Sequence, residues 1–295
     1  MPESIKTIDP KALTTGELHG YLLGAVAPRP IAFASTIDEQ GRVNLSPYSF
    51  FNVFGSNPPL MIFSPARRVR DNTVKHTLEN VQVVPEAVIS IVNYPIVEQM
   101  SLASTEYPKG VNEFIKAGLT QAPSDFVRPP RVAEAPVAFE CKVQQVIETG
   151  TEGGAGNLIL AEVVNIHIRS SYLNEKGKLD LDKLDLVGRM GGSYYVRASG
   201  DALFEIPKPI RSKGIGVDRL PASVRDSHQL TGNELGRLGN LSEWPDTEAA
   251  RQRMAQHEEL ASLLSAGTEE IHTRASLLLQ SNRLDEAADL LAATS

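Results

Sequence analysis

The clearest alternation of apolar and polar positions along the chain is "AFECKVQQVIE", residues 138–148. Phe139, Cys141 and Val143 oppose Glu140, Lys142 and Gln144. A period of two places these sets on the two faces of a β-strand. After the glycine-rich turn "GTEGGAGN", "LILAEVVNIHIR" predicts a long strand. Its second half puts Val164, Ile166 and Ile168 inside and Asn165, His167 and Arg169 outside. Earlier, "IAFAST" and "RVNLS" flank the four-residue turn "DEQG", which predicts a β-hairpin. "LMIFS" and "AVISIVN" are apolar enough to be two buried strands. Helical spacing is shorter-ranged. Thr14 and Glu17 have the spacing of a capping box before "LHGYLLGAV", with an end near Gly24 and a stop at "APRP". Val74, Leu78 and Val81 lie at helical spacing within "RDNTVKHTLENV", and "GVNEFIKAGL" predicts another short helix. Many strands separated by turns, with short helices, predict a mainly β fold, a barrel rather than a parallel α/β sheet.

The character changes near residue 201. "FEIPKPIRSKGIGVDRLP" is rich in proline, glycine and charge and predicts an extended arm over 201–246. From Thr247 the chain is rich in alanine and leucine. Leu260, Leu263 and Leu264, then Leu277, Leu278 and Leu284, then Leu290 and Leu291 form amphipathic stripes, with breaks expected at Gly267 and Asn282. The expected organisation is a β domain over 1–200, the arm, and a helical appendage over 247–295.

The formal net charge is −7 over 295 residues, which argues against a general nucleic-acid binder. One cysteine excludes an internal disulfide and suits a reducing cytoplasm. The N-terminal "MPESIKTIDP" does not read as a signal peptide, and no apolar stretch has the length of a membrane span, so a soluble cytoplasmic protein without a membrane partner is expected.

Two stretches hold candidate chemistry. In "RRVRDNTVKH", residues 67–76, Arg67, Arg68 and Arg70 precede an expected helix start that Asp71 or Asn72 is suited to cap. Two readings are open: a capped surface helix with solvated arginines, or a phosphate site made of helix N–H groups, arginines and the Thr73 hydroxyl. In "RVNLSPYSFFNVF", residues 42–54, Ser46, Pro47, Ser49 and Asn52 are interleaved with aromatics. That is either a strand-end turn or the polar wall of a cleft. A polar wall followed by a basic helix start describes a pocket for a mononucleotide-like cofactor. No P-loop, dinucleotide fingerprint, nucleophile elbow or metal motif competes with it, and no metal is expected. His76 and His167 read as surface residues, and Cys141 as a packed thiol.

"PRPIAFAST", "DEQGRVNLSPYSFFN", "RDNT", "IVN", "AFECKV", "LAEV" and "GRMGGSYYVR" occur in that order across residues 20–198. In this the chain resembles the flavin reductase-like family, the FMN-binding split barrels. The resemblance implies a six-stranded split β-barrel of Greek-key type that forms a homodimer with one FMN per subunit. Carried over by position, Ser35, Thr36, Ser46, Pro47, Ser49 and Asn52 would line the flavin ring and ribityl chain. Arg70, where relatives often have lysine, would hold the phosphate with Asn72 and Thr73. Many members have histidine where this chain has Asn157, which hydrogen-bonds but does not titrate. Asn157 and Arg189 are the candidates near the ring. The implied activity is an oxidoreductase in which NADH or NADPH, bound transiently, reduces flavin or a small acceptor. A partner monooxygenase or other acceptor protein would take the electrons. A non-enzymatic FMN carrier and a flavin-free interaction scaffold are the alternatives.

Overall fold

A computed structural model describes residues 4–206 and 213–294. The chain divides into two compact units, Met1–Phe204 and Glu205–Ser295.

The first unit opens with α1 (Thr15–Ala25), whose N-terminus has the expected capping box between Thr14 and Glu17. There follow β1 (Ala32–Ile37), β2 (Val43–Tyr48), β3 (Phe51–Ser56), β4 (Pro59–Phe63), α2 (His76–Val83) and β5 (Glu86–Ile91). Then come α3 (Val97–Ala103), α4 (Glu113–Ala117), β6 (Gln121–Ala122), β7 (Arg131–Val132), β8 (Val137–Glu148) and β9 (Asn157–Ile168). The short α5 (Leu181–Leu184) and the hairpin of β10 (Leu186–Arg189) and β11 (Tyr195–Ala198) complete the unit. Seven strands, one more than expected, form an antiparallel sheet in the order β2-β1-β5-β8-β9-β4-β3.

The edge strands β2 and β3 are separated in sequence only by Ser49 and Phe50. Three virtual bonds span at most about 11 Å, so the sheet curls until its two edges approach each other. It does not close, because β2 and β3 are not hydrogen-bonded neighbours. The result is a split barrel. Its interior is filled by Ala32, Ala34, Met61, Phe63, Ala87, Ile89, Cys141, Ile159 and Ala161. Alternating small and large residues suit a narrow barrel. Phe33 and Leu45, on the opposite faces of β1 and β2, pack outside under Met100 of α3 and Phe114 of α4. Hence β1 is buried throughout.

Three expectations are revised. The helix predicted from Asp71 starts at His76, with Lys75 at the cap position, so neither Asp71 nor Asn72 caps it. Asn72 has a left-handed backbone, φ +54°, and this interrupts any helix there. Second, the faces of β9 are covered in the reverse sense. A bulge lies where Cys141 pairs with Val163 and Glu140 with Asn165. Asn165 and His167 share the side of Glu140 and hydrogen-bond to it. The 124–128 loop covers that side, because both Glu140 oxygens accept N–H groups from Asp125, Phe126 and Val127 at 2.9, 2.6 and 3.1 Å. Val164, Ile166 and Ile168 are left 40, 53 and 40% exposed. His167 is therefore half-buried against Glu140 rather than free at the surface. Third, residues 213–246 are not an extended arm; 207–212, also within that expectation, lie outside the described residues.

In the second unit α6 (Ala222–Arg225), α7 (Gly232–Gly239), α8 (Thr247–Ala255), α9 (Thr268–Gln280) and α10 (Leu284–Thr294) share one core. Leu220, Val224, Leu230 and Leu238 from the expected arm are buried in it beside Met254, Leu278 and Leu290. A Cβ on Gly214 would stand 2.6 Å from the Gly239 carbonyl oxygen, so glycine here permits close packing rather than extension. Gly267 and Asn282 flank α9 as expected.

Burial pushes the Glu140 carboxyl up, but its N–H donors and His167 outweigh burial and hold it at about 2. Its stabilisation is therefore full above the ordinary value near 4.5 and is lost as pH falls toward 2. Glu140→Gln cannot accept from all these donors. It is expected to cost about 3 kcal/mol or more in urea unfolding at pH 7 and to flatten the acid limb of the stability profile.

Candidate functional site

The expected hairpin forms, with Thr36 opposite Asn44 and Ala34 opposite Ser46. From it a chain of hydrogen bonds runs toward a cleft. The buried Tyr48 hydroxyl donates to Thr77 Oγ1 at 2.8 Å, and Thr77 donates to Asn44 Oδ1 at 2.7 Å. Asn44 Nδ2 and the Leu45 N–H then donate to the buried Glu113 carboxylate, both at 2.9 Å. Burial pushes the Glu113 carboxyl above the ordinary range, against these donors. Tyr48 is thus a buried member of this network that also borders the cleft.

Ser46 lines the cleft together with Asn44, Arg68, Lys75, Glu106 and Glu113. The basic side comes from the loop between β4 and α2. Arg67 donates to the Asn72 side chain at 2.7 Å and to its carbonyl at 2.8 Å, and Asn72 Nδ2 donates to the Thr151 carbonyl at 3.0 Å. This pins the loop to the glycine turn between β8 and β9. A Cβ on Gly153 would lie 3.0 Å from the Arg68 carbonyl oxygen, so the turn approaches closely because it lacks one. Arg68 donates to Thr73 Oγ1 at 2.9 Å and to the Val74 carbonyl at 2.6 Å. Asp71 accepts from the Thr73 hydroxyl and N–H, and these bonds hold its carboxyl at about 2.

One carboxylate gathers the cations. Glu106 accepts from Arg68 Nε at 2.8 Å and Arg70 Nη2 at 2.9 Å, and Lys75 Nζ lies 3.4 Å away. The bonds from Arg68 and then Arg70 hold the Glu106 carboxyl at about 2.

The other predicted residues are placed apart. Ser35 and Thr36 are fully buried; the Thr36 hydroxyl accepts from Asn80 at 3.1 Å. Ser35 Oγ has no partner among the described residues. Pro47 is half-buried. Ser49 accepts from Arg29 Nε at 3.4 Å, and Arg29 is itself buried and donates to the carbonyls of Leu23, Val26 and Met190. Arg189 pairs with the backbone of Arg29, and its guanidinium lies 4.6 Å from the Tyr195 ring centre. Asn52 is exposed and caps the next N–H, that of Val53. Asn157 is buried and donates to the Pro65 carbonyl at 2.7 Å, fastening β9 to the end of β4. Phe51 is buried, while Phe50 and Phe54 are exposed.

The structure thus brings Arg70 and Thr73, through Glu106 and Arg68, to the cleft that Ser46 lines, and adds Arg68, Lys75, Glu106 and Glu113, while Asn72 is turned to Arg67 and the Thr151 carbonyl. Glu106 carried no sequence signal: its partners are 31–38 residues away and meet it only through the fold. Asp125, Glu140 and His167 come close enough for metal ligation. However, both Glu140 oxygens are already committed to N–H donors.

A family model described as the flavin reductase like domain matches residues 24–182, within the first unit. An uncharacterized protein from Aquifex aeolicus (strain VF5) is 39% identical over 189 residues, 64% of this chain and 94% of its own length. The crystal structure of nitrilotriacetate monooxygenase component B from Bacillus cereus superimposes with a TM-score of 0.64 at 29% identity, covering 69% of this chain and all (100%) of that one. A split-barrel protein from Shewanella frigidimarina NCIMB 400 gives a TM-score of 0.57 at 28% identity, covering 68% and 96%.

Arg68→Met tests the charge balance of the cleft. By NMR titration, Glu106 is expected to titrate at about 2 in the native chain and to move up toward 4.5 in the variant. Arg70→Ala is expected to move it in the same direction by less.

Proposed function

The chain belongs to the flavin reductase-like domain family, and from that premise we propose an oxidoreductase that binds FMN and uses NADH or NADPH to reduce flavin or a small acceptor. The observation that carries this reading is the set of cations converging on one anion beside Ser46. Two guanidinium groups, an ammonium and a nearby hydroxyl are the donors a phosphate monoester uses, and the Glu106 carboxylate marks where an anion is stable. The residues fit the group on this chemistry.

Arg68, Arg70 and Lys75 would hold the phosphate. Asn72 and Thr73 order the loop that presents them, through Thr151 and Asp71. Ser46 and Asn44 would supply hydrogen bonds on the wall, with Asn44 held in one orientation by Thr77 and Glu113. Bound flavin supplies two-electron chemistry, taking up hydride from a reduced nicotinamide and passing the electrons on. The protein needs no nucleophile for this. Its part is to bind, orient and set the local charge, and the buried Arg29 beside Arg189 and Ser49 adds fixed positive charge near the exit of β2.

The Bacillus cereus structure is named as a monooxygenase component, and an oxygenase partner that accepts reduced flavin is the electron sink favoured here. A homodimer is the expected assembly, with the uncovered Val164, Ile166 and Ile168 stripe of β9 as its apolar contact. A cytoplasmic setting accords with the one cysteine, Cys141, a buried thiol pushed up to about 12 by burial.

Reconstitution with FMN is expected to give a flavin absorption spectrum, and anaerobic addition of NADH or NADPH is expected to bleach it. Bound FMN that neither nucleotide bleaches would sink the reductase reading in favour of a carrier. Arg68→Ala is expected to weaken FMN binding at least about tenfold while leaving riboflavin binding unchanged. Ile166→Lys is expected to lower the sedimentation coefficient from that of a dimer to that of a monomer.

A further inference from the structure

The basic side of the cleft and the carboxylate that occupies it differ in how firmly they are held. Arg68 is part of the frame: its side chain is 15% exposed and is fixed by Thr73 and Val74 as well as by Glu106. The Glu106 side chain is 40% exposed, and the bonds described for it all go to Arg68, Arg70 and Lys75. It rides on the exposed segment between α3 and α4, whose backbone hydrogen bonds are local turns to Ser101, Leu102, Thr105 and Pro108. Arg68, the central cation, is therefore set in place by its own loop, with the exposed Arg70 and with Lys75 beside it, while the anion reaches them from a segment held by local turns and by the ion pair of Lys109 with Glu79.

We infer that Glu106 is a built-in competitor for the anion site: its carboxylate occupies the place of the ligand's phosphate, keeps the site closed to weak monoanions, and yields only to a phosphate monoester. This rests on the proposed function for the identity of the ligand, but not for the anion site itself. A carboxylate brings one negative charge and two acceptor oxygens. A phosphate monoester at neutral pH brings nearly two charges and three acceptor oxygens. The phosphate can satisfy the Arg68 and Arg70 forks and Lys75 together, so it wins the exchange, while an acetate-like anion gains nothing over the resident carboxylate. When displaced, Glu106 moves into water, where it stays ionised at neutral pH, so the exchange takes up no proton. Like charge then keeps the segment away from the bound phosphate. The device sets specificity by making each ligand replace an anion that is already bonded.

The test is calorimetric titration of the full chain and of Glu106→Gln with FMN, riboflavin and inorganic phosphate, at pH 7.5 and fixed ionic strength. The variant is expected to bind FMN and inorganic phosphate at least about tenfold more tightly, with riboflavin unchanged. Unchanged or weaker phosphate and FMN binding in the variant would overturn the inference, because Glu106 would then merely support the arginines. Absence of phosphate binding in both proteins would overturn it as well. If wild-type chain binds FMN but the variant shows no gain, the inference fails and the flavin reading stands. If the variant gains phosphate affinity while neither protein binds FMN, the inference stands and the flavin reading fails. Glu106→Ala, checked by its thermal melt, is expected to repeat the gain and serves if the glutamine variant is poorly folded.

Discussion

The two-residue link between β2 and β3 constrains everything else in the first unit. It joins strands at opposite ends of a seven-stranded sheet, so the sheet must bend round on itself. Alanines at 32, 34, 87 and 161 make the bend possible by keeping the interior narrow, and Phe63, Ile89 and Ile159 fill what remains. Curling brings the loop after β4 back to the hairpin of β1 and β2. That is why Ser46 and Arg68 line one cleft although they belong to opposite margins of the sheet.

Around the barrel, carboxylates do two different kinds of work. Glu140 is fully buried and acts as a staple, because its oxygens satisfy backbone N–H groups that the 124–128 loop would otherwise leave bare. Glu106 is half in water and balances cations. Both are held near 2, yet for opposite reasons: backbone and imidazole donors overcome burial at Glu140, while arginine bonds act with little burial at Glu106. The first is structural and the second exchangeable. Glu113 is a third case, pushed up by burial and held by the amide of Asn44 at the cleft wall.

Much of the fold was legible in the sequence. The hairpin of β1 and β2, the capping box at Thr14 and Glu17, and the breaks at Gly267 and Asn282 follow from local rules, since each depends on residues a few positions apart. The errors have separate causes. The exposed stripe of β9 has the alternation of a core strand, but which face is covered depends on the 124–128 loop and its contact with Glu140. Residues 213–246 read as an arm because glycines and prolines obscured the spacing of Leu220, Val224 and Leu238. At the site, the basic stretch was visible, but its helix start was misplaced by Asn72, whose positive φ no periodicity shows.

By itself, the sequence determined the strands and helices that local periodicity and capping can specify, the position of the basic loop, and the family to which the order of motifs belongs. Only the tertiary structure decided which of those polar residues meet. It buried Ser35, Thr36 and Asn157 inside the fold, set Ser49 against Arg29, and brought Glu106 to Arg68 across 38 residues of chain. The physical reason is that side-chain type and spacing act over a turn or a strand pair, whereas convergence at the cleft depends on how far a split sheet bends.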